Sequence, residues 1–80
     1  MAVTILFLGP LRDLAGETRR AVPAPLDWAG LLEAVGPEVA AQLEEERVNV
    51  ACAGIVLGDK RSLHASDGDE VALLPPVSGG

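Results

Sequence analysis

Residues 2–8 read AVTILFL, and this run of apolar and β-branched residues stops at Gly9 and Pro10. Its composition predicts a strand that is buried on both faces, or on one face and against a partner. Side chains alternate between the two faces of a strand, so Leu6 and Leu8 point away from the odd-numbered residues. The run therefore predicts a strand deep in a sheet rather than at its edge.

A second apolar run, EVALL at residues 70–74, lies near the other end of the chain. The turn signal DGD at 67–69 precedes it, and Pro75 and Pro76 follow it. Proline lacks a backbone N–H, so the two prolines end any strand ladder. Because both runs are strongly apolar, we expect them to be central neighbours in one sheet.

The segments between these runs predict one principal helix and several shorter elements. They are a helix over 10–15 opened by Pro10, a strand over 17–22 antiparallel to the first, a helix over 28–35 capped by Asp27, a helical stretch from Pro37 toward Arg47, strands over 48–53 and 55–57, and a helical turn over 62–66. The order predicts an α+β domain with a four- or five-stranded sheet packed on one helix. We expect this domain to span residues 1–76 and residues 77–80 to form a flexible tail.

Composition excludes several function classes. The chain has 80 residues and a formal charge of −6, so we expect no nucleic-acid partner and favour a basic protein surface instead. Its single cysteine, Cys52, excludes an internal disulfide framework and a cysteine-rich zinc site. No apolar run is long enough to span a membrane, and no basic region precedes Val3, so we expect a cytoplasmic protein.

The last six residues, PPVSGG at 75–80, carry the strongest functional signal. Two prolines stiffen the base, and two glycines without Cβ atoms let other groups approach the terminal carboxylate closely. Such a tail fits a narrow channel. If an adenylate forms at Gly80, sulfur can replace AMP to leave a thiocarboxylate, or an amine can replace it to leave an isopeptide bond. The alternative is a frayed end without function.

Residues 67–80, DGDEVALLPPVSGG, resemble the C-terminal signature of the small subunit of molybdopterin synthase. FLGPLRDLAG at 7–16 resembles the first strand and short helix of the same family, and the resemblance covers essentially the whole chain. It implies a ubiquitin-like β-grasp fold and a sulfur carrier in molybdenum cofactor biosynthesis. The turn at Ala53 and Gly54 departs from the family pattern, because it lacks the Asn often seen there.

The resemblance also implies a reaction cycle and its partners. An ATP-dependent activating enzyme would adenylate Gly80, and a sulfur donor protein would convert the adenylate to a thiocarboxylate. The tail would then enter the large subunit of molybdopterin synthase and deliver sulfur to cyclic pyranopterin monophosphate. Members of the family typically form a heterotetramer. The small subunit carries sulfur rather than catalysing by itself, and it needs no permanently bound cofactor or metal.

Three alternatives remain open at this point. The sulfur carrier of thiamine thiazole synthesis shares the fold and the Gly-Gly end, but it is usually shorter and lacks the PPV spacer. A protein modifier joined to lysines through Gly80 begins with the same adenylate. The third alternative is a simple binding module with a loose tail.

The predicted site consists of the tail and an apolar strip beside it. We expect Gly79 and Gly80 to react, and Leu6, Leu8 and Leu74 to form with Ala72 and Ala51 an exposed strip that binds the large subunit. Pro75, Pro76, Val77 and Ser78 would continue this contact. Other candidate residues favour ordinary roles: Cys52 as a buried strand residue, His64 as a surface residue, Asp67 and Asp69 as turn formers, and Arg12, Arg19 and Arg20 as solvated charges.

Overall fold

The computed structural model describes residues 1–76. The strands in this part of the chain are β1 Ala2–Phe7, β2 Arg19–Pro23, β3 Leu26–Asp27, β4 Asn49–Cys52, β5 Ile55–Val56, β6 His64–Ala65 and β7 Glu70–Leu74. The helices are α1 Pro10–Ala15, α2 Trp28–Val35 and α3 Pro37–Leu43, and a 3-10 turn spans Lys60–Ser62.

Five of these strands form one mixed sheet in the order β2-β1-β7-β4-β5. β1 and β7 are parallel, with Ile5 opposite Val71 and Phe7 opposite Leu73, and the other pairs are antiparallel. The prediction that the two apolar runs are central neighbours is therefore confirmed, and so is the antiparallel strand before Pro23. The predicted α+β class, a sheet packed on helices, is also confirmed.

The core lies between the inner face of this sheet and the helices. Phe7 is its one aromatic member that is fully buried, and aliphatic side chains supply the rest. Each contributes roughly 1.5–3 kcal/mol when it leaves water. The largest fully buried members besides Phe7 are Val3, Ile5, Leu31, Val39, Leu43, Val48, Val50, Val71 and Leu73.

The helix boundaries follow the predicted capping residues at most positions. Pro10 opens α1, and Gly16 ends it in the left-handed conformation. The Asp27 carboxylate caps α2 by accepting the Gly30 N–H at 2.8 Å. Gly36 then separates α2 from α3.

The helical stretch predicted to run toward Arg47 stops at Leu43 instead. Three consecutive glutamates follow, and negative charge is unfavourable at a helix C-terminus. The chain turns there, because the Val48 N–H donates to the Glu45 carbonyl at 3.1 Å. Lys60 also holds this turn, since its ammonium donates to the carbonyl oxygens of Glu45 and Val48.

The helical turn predicted over 62–66 is wrong. The 3-10 turn begins two residues earlier, at Lys60, because the Asp59 carboxylate accepts the Arg61 N–H at 3.0 Å. Residues 64–65 form β6 and pair antiparallel with β3, so a tertiary contact decides their conformation. The short strand β3 itself was missed, because two residues carry no periodic signal.

Arg20 connects the sheet to helix α2. Its Nε donates to Glu17 Oε2 at 2.6 Å, and its guanidinium donates to the Ala34 carbonyl at 2.5 Å. The guanidinium also lies 5.3 Å from the centre of the Phe7 ring, a cation–π distance. This side chain thus satisfies a helix C-terminal carbonyl while covering the core aromatic residue.

We expect Arg20→Ala to lower the free energy of unfolding by about 1–2 kcal/mol, because it removes a charged hydrogen bond and the ring contact. Urea unfolding followed by circular dichroism measures the change. Arg19→Ala, one residue earlier in β2 and exposed, is the matched control and should change stability by less than about 0.5 kcal/mol. Equal effects of the two substitutions would contradict the connecting role of Arg20.

Candidate functional site

The chain leaves the sheet from the end of its central strand. β7 ends at Leu74, with β1 on one side and β4 on the other. Pro75 and Pro76 follow and cannot extend the ladder. Because β1 is parallel to β7, the residues after β1 lie beside these prolines. We call Leu74, Pro75 and Pro76 the tail root.

Gly9 positions the tail root against helix α1. Its backbone has φ +55° and ψ −133°, a region that L-amino acids with a side chain rarely adopt. A Cβ atom built on Gly9 would lie 3.3 Å from Cγ of Pro75, tighter than most such contacts. Glycine at this position therefore permits both the entry into α1 and the close approach of Pro75.

A row of side chains crosses the outer face of the sheet, away from the helices. The strand registers align one residue from each of the five strands, so the five side chains lie on the same face. From β2 to β5 the row is Arg19, Leu6, Ala72, Ala51 and Val56. It is apolar except at its β2 end, where Arg19 stands.

The predicted strip is found on this face with one correction. Leu8 is exposed, and Leu6, Ala72 and Leu74 are half-buried. Ala51, however, is buried, because its short side chain lies between its cross-strand neighbours.

Val56 was missed by the sequence reasoning, although it is 55% exposed on the same face as Ala51. The signal was the two-residue turn at Ala53 and Gly54, both at positive φ. A turn of two residues places Ile55 opposite Cys52, and hence Val56 opposite Ala51. We call Leu6, Leu8, Ala72, Leu74 and Val56 the outer patch.

Two grooves flank helix α1 near the tail root. The larger, about 540 Å³, is mainly apolar, and its lining includes Pro10, Leu14, Pro75 and Pro76. The smaller, about 310 Å³, is lined on the other side by Leu6, Leu8, Gly9, Arg12, Thr18 and Arg19. Of the predicted trio of arginines, Arg12 and Arg19 are thus brought together, whereas Arg20 packs on the inner face.

Cys52 is half-buried beside the core rather than fully buried. Burial raises the pKa of its thiol, and the neighbouring Asp69 carboxylate raises it further through charge and a long hydrogen bond of 3.9 Å. A raised pKa leaves less thiolate at neutral pH, so Cys52 is a weak nucleophile.

The remaining polar candidates have structural positions. The Asp67 carboxylate accepts the Ala2 N–H, and the Asp69 carboxylate accepts the Ser66 N–H, each at 2.8 Å. Both aspartates therefore stabilise the turn before β7. His64 is exposed on β6. Among residues 1–76, no three acidic, histidine or cysteine side chains come together as metal ligands.

The predicted tail residues Val77, Ser78, Gly79 and Gly80 lie outside the described residues. Their predicted roles remain proposals. The described part of the site consists of the tail root, the outer patch and the two grooves.

A mixed five-stranded sheet packed on helices, with parallel first and last strands, defines the chain as a ubiquitin-like β-grasp domain. The chain belongs to the ThiS family, whose model matches residues 5–80. This is the class of ubiquitin-like sulfur carriers of the ThiS and MoaD type.

Solved structures with the same fold cover the whole chain. The HVO 2177 protein of Haloferax volcanii is 26% identical, with a TM-score of 0.76 over 87% of its own length. SAMP1 of the same organism is 24% identical, with a TM-score of 0.73 over its full length, and at this identity the likeness concerns the fold. Subunit 1 and subunit 2 of the molybdopterin-converting factor from Helicobacter pylori form a complex that includes a chain 27% identical to this one, matched over its full length with a TM-score of 0.63.

The comparison with curated proteins found no match. Within residues 1–76, no helix is both long and apolar enough to cross a membrane.

We expect Gly9→Ala to lower the free energy of unfolding by about 1–3 kcal/mol, because alanine is strained at this positive φ and its Cβ crowds Pro75. Thermal and urea unfolding measure the loss. Gly58→Ala is the matched control: Gly58 has open space around its Cβ position and no positive φ, so its stability should change little. If the free energy of unfolding of the Gly9→Ala variant equals that of the unchanged protein, the tail root does not depend on this glycine.

Proposed function

We propose that the chain is the sulfur carrier of molybdenum cofactor biosynthesis, acting as the small subunit of molybdopterin synthase. The observation that carries the proposal is the position of the tail root, which leaves the central strand beside the outer patch. A partner that covers this patch also receives whatever follows Pro76. Family membership and the PPVSGG sequence support the same assignment.

The reacting group in this proposal is the Gly80 carboxylate. One of its oxygens attacks the α-phosphorus of ATP on the activating enzyme, and pyrophosphate leaves. Sulfide-level sulfur (HS⁻) supplied by a donor protein then attacks the carbonyl carbon, the bond to AMP breaks and AMP leaves, and a thiocarboxylate remains. Delivered into the large subunit, this sulfur becomes one of the two dithiolene sulfurs of molybdopterin, and a second loaded chain supplies the other.

The described residues suit a carrier whose chemistry lies outside the folded domain. Cys52 is a weak nucleophile because of its raised pKa, and His64 is exposed with no metal-binding group around it in residues 1–76. Residues 1–76 would then present the tail and provide the docking surface, and residues 77–80 would enter the active sites of the partners.

The proposed partners are the large synthase subunit, the ATP-dependent activating enzyme and a sulfur donor protein. The complex of two molybdopterin-converting factor subunits from Helicobacter pylori supports the first of them. We further propose a heterotetramer of two small and two large subunits in the cytoplasm. The outer patch provides the apolar surface that such a stable assembly needs.

Intact mass spectrometry tests the carrier chemistry directly. Incubation with the cognate activating enzyme, ATP and a sulfur donor should raise the mass by the difference between one sulfur and one oxygen. The control variant lacks Gly80 and should keep its fold but gain no sulfur. An unchanged mass of the full chain would contradict both carrier pathways, that of molybdopterin and that of thiamine.

The same samples separate the remaining alternatives. Sulfur transfer to the thiamine thiazole pathway, with none to the pterin, would replace the proposed pathway. Conjugates of high mass in cell extracts would favour a protein modifier. Lys60 is the only lysine of the chain. If a series of conjugates of increasing mass disappears in the Lys60→Arg variant, those conjugates are polymers of this protein linked through Lys60.

Leu74→Asp tests the docking surface. We expect the variant to fold but to bind the large subunit at least tenfold more weakly, about 1.4 kcal/mol, because its carboxylate would be buried against an apolar partner. Isothermal titration calorimetry measures the affinity.

Ile55→Asp is the matched control for this test. Ile55 is 69% exposed in the same sheet, but its register partner Cys52 places it on the opposite face. The Ile55→Asp variant should bind the large subunit with the same affinity as the unchanged protein. Equal affinities of Leu74→Asp and the unchanged protein would contradict the proposed interface.

A further inference from the structure

The cationic side chains are distributed unevenly over this acidic molecule. Of the six, Arg20 and Lys60 donate to backbone carbonyls within the domain, and Arg61 lies 5.9 Å from the centre of the Trp28 ring. The other three, Arg12, Arg19 and Arg47, are exposed, and within residues 1–76 none of them makes a side-chain hydrogen bond or ion pair. Arg12 and Arg19 share one groove.

The backbone fixes the two arginines on opposite walls of that groove. Arg12 lies in α1, whose first turn is closed by a 3.0 Å hydrogen bond from the Arg12 N–H to the Gly9 carbonyl. Arg19 lies in β2, just after Thr18, whose carbonyl accepts the Phe7 N–H at 2.9 Å. Both walls are therefore attached to the end of β1.

The groove is continuous with the outer patch. Leu6 and Leu8 line it, and Leu6 is also the register partner of Arg19 in the row across the sheet. A protein that covers the outer patch up to the β2 edge must therefore meet two guanidinium groups. Left without a counter-charge in such a contact, they would carry a desolvation penalty.

The nearby carboxylates of the domain do not neutralise this pair. Glu17 is bound to Arg20 at 2.6 Å. Asp13 lines the other groove, on the far side of α1. Within residues 1–76 the guanidinium groups are thus available for an external anion, and arginine binds carboxylates with two parallel hydrogen bonds.

We propose that Arg12 and Arg19 form a clamp for a carboxylate-bearing segment of the large synthase subunit, with an apolar side chain of that segment against Leu6 and Leu8. The inference rests on the proposed function and deepens it by giving the chemistry of the partner surface. It also reverses, at the β2 edge, the expectation from net charge: the chain is −6 overall, yet this edge selects an acidic contact.

The test is the affinity for the cognate large subunit, measured by calorimetry with the full chain at low and at moderate salt. The double variant Arg12→Glu/Arg19→Glu should bind the large subunit at least thirtyfold more weakly, because its two new carboxylates would face the carboxylate of the partner segment. Arg12→Lys/Arg19→Lys keeps the charge and should lose less. Rising salt should weaken binding of the unchanged protein more than binding of the reversed variant.

Arg47→Glu/Arg61→Glu is the control, because it changes the net charge by the same amount away from the groove. It should bind within threefold of the unchanged protein. Equal losses in the two reversed variants would assign the effect to net charge and overturn the clamp. Unchanged affinity of Arg12→Glu/Arg19→Glu, with loss only of adenylation, would overturn it by assigning the arginines to the activating enzyme.

Two further outcomes distinguish a failure of the clamp from a failure of the proposed function. If the reversed variant self-associates in sedimentation but keeps its affinity, the arginines protect the β2 edge instead, and the clamp is overturned. If the unchanged protein does not bind the large subunit at all, the proposed function fails and the clamp with it. Normal binding of the unchanged protein together with a retained affinity of the reversed variant contradicts the clamp alone.

Discussion

The parallel pairing of β1 with β7 is the interaction on which the rest of the molecule depends. It joins the two most apolar segments of the chain, which are separated by most of the sequence, and buries Ile5, Phe7, Val71 and Leu73 in one layer. A parallel pair needs a long crossover, and the segment between the strands supplies the helices that cover this layer. The same pairing places the end of β7, and with it the tail root, in the middle of the sheet.

With β7 in the centre of the sheet, the two faces of the sheet have different roles. The inner face of the sheet is used by the core, where aliphatic side chains and one phenylalanine pack against α2 and α3. The outer face has no helix over it in residues 1–76, and it carries apolar side chains beside the tail root. A domain of this size cannot easily hold both a core and a complete enzyme pocket. In the proposed function, an exposed sheet face next to the tail root lets larger partners provide the pocket.

The charged side chains are distributed unevenly around this surface. Most acidic side chains lie on the helices and loops, whereas Arg19 stands at the β2 end of the apolar row and Arg12 shares the groove beside it. Net charge describes how the molecule approaches a partner from a distance. The contact itself is decided by local groups, and in the proposed clamp these groups are two arginines of an otherwise acidic chain.

The sequence by itself determined the α+β class, the central pair of strands, and the caps at Pro10 and Asp27, because each depends on local composition or on residues with restricted backbones. It also supplied the hypothesis about the tail. Only the tertiary structure decided the end of α3, the pairing of residues 64–65 with β3, the burial of Ala51, the exposure of Val56 and the separation of Arg20 from the other two arginines. These features depend on cross-strand register and on side chains that reach carbonyls far away in sequence, such as Lys60 at Val48 and Arg20 at Ala34. No local pattern records which distant residue will become the neighbour.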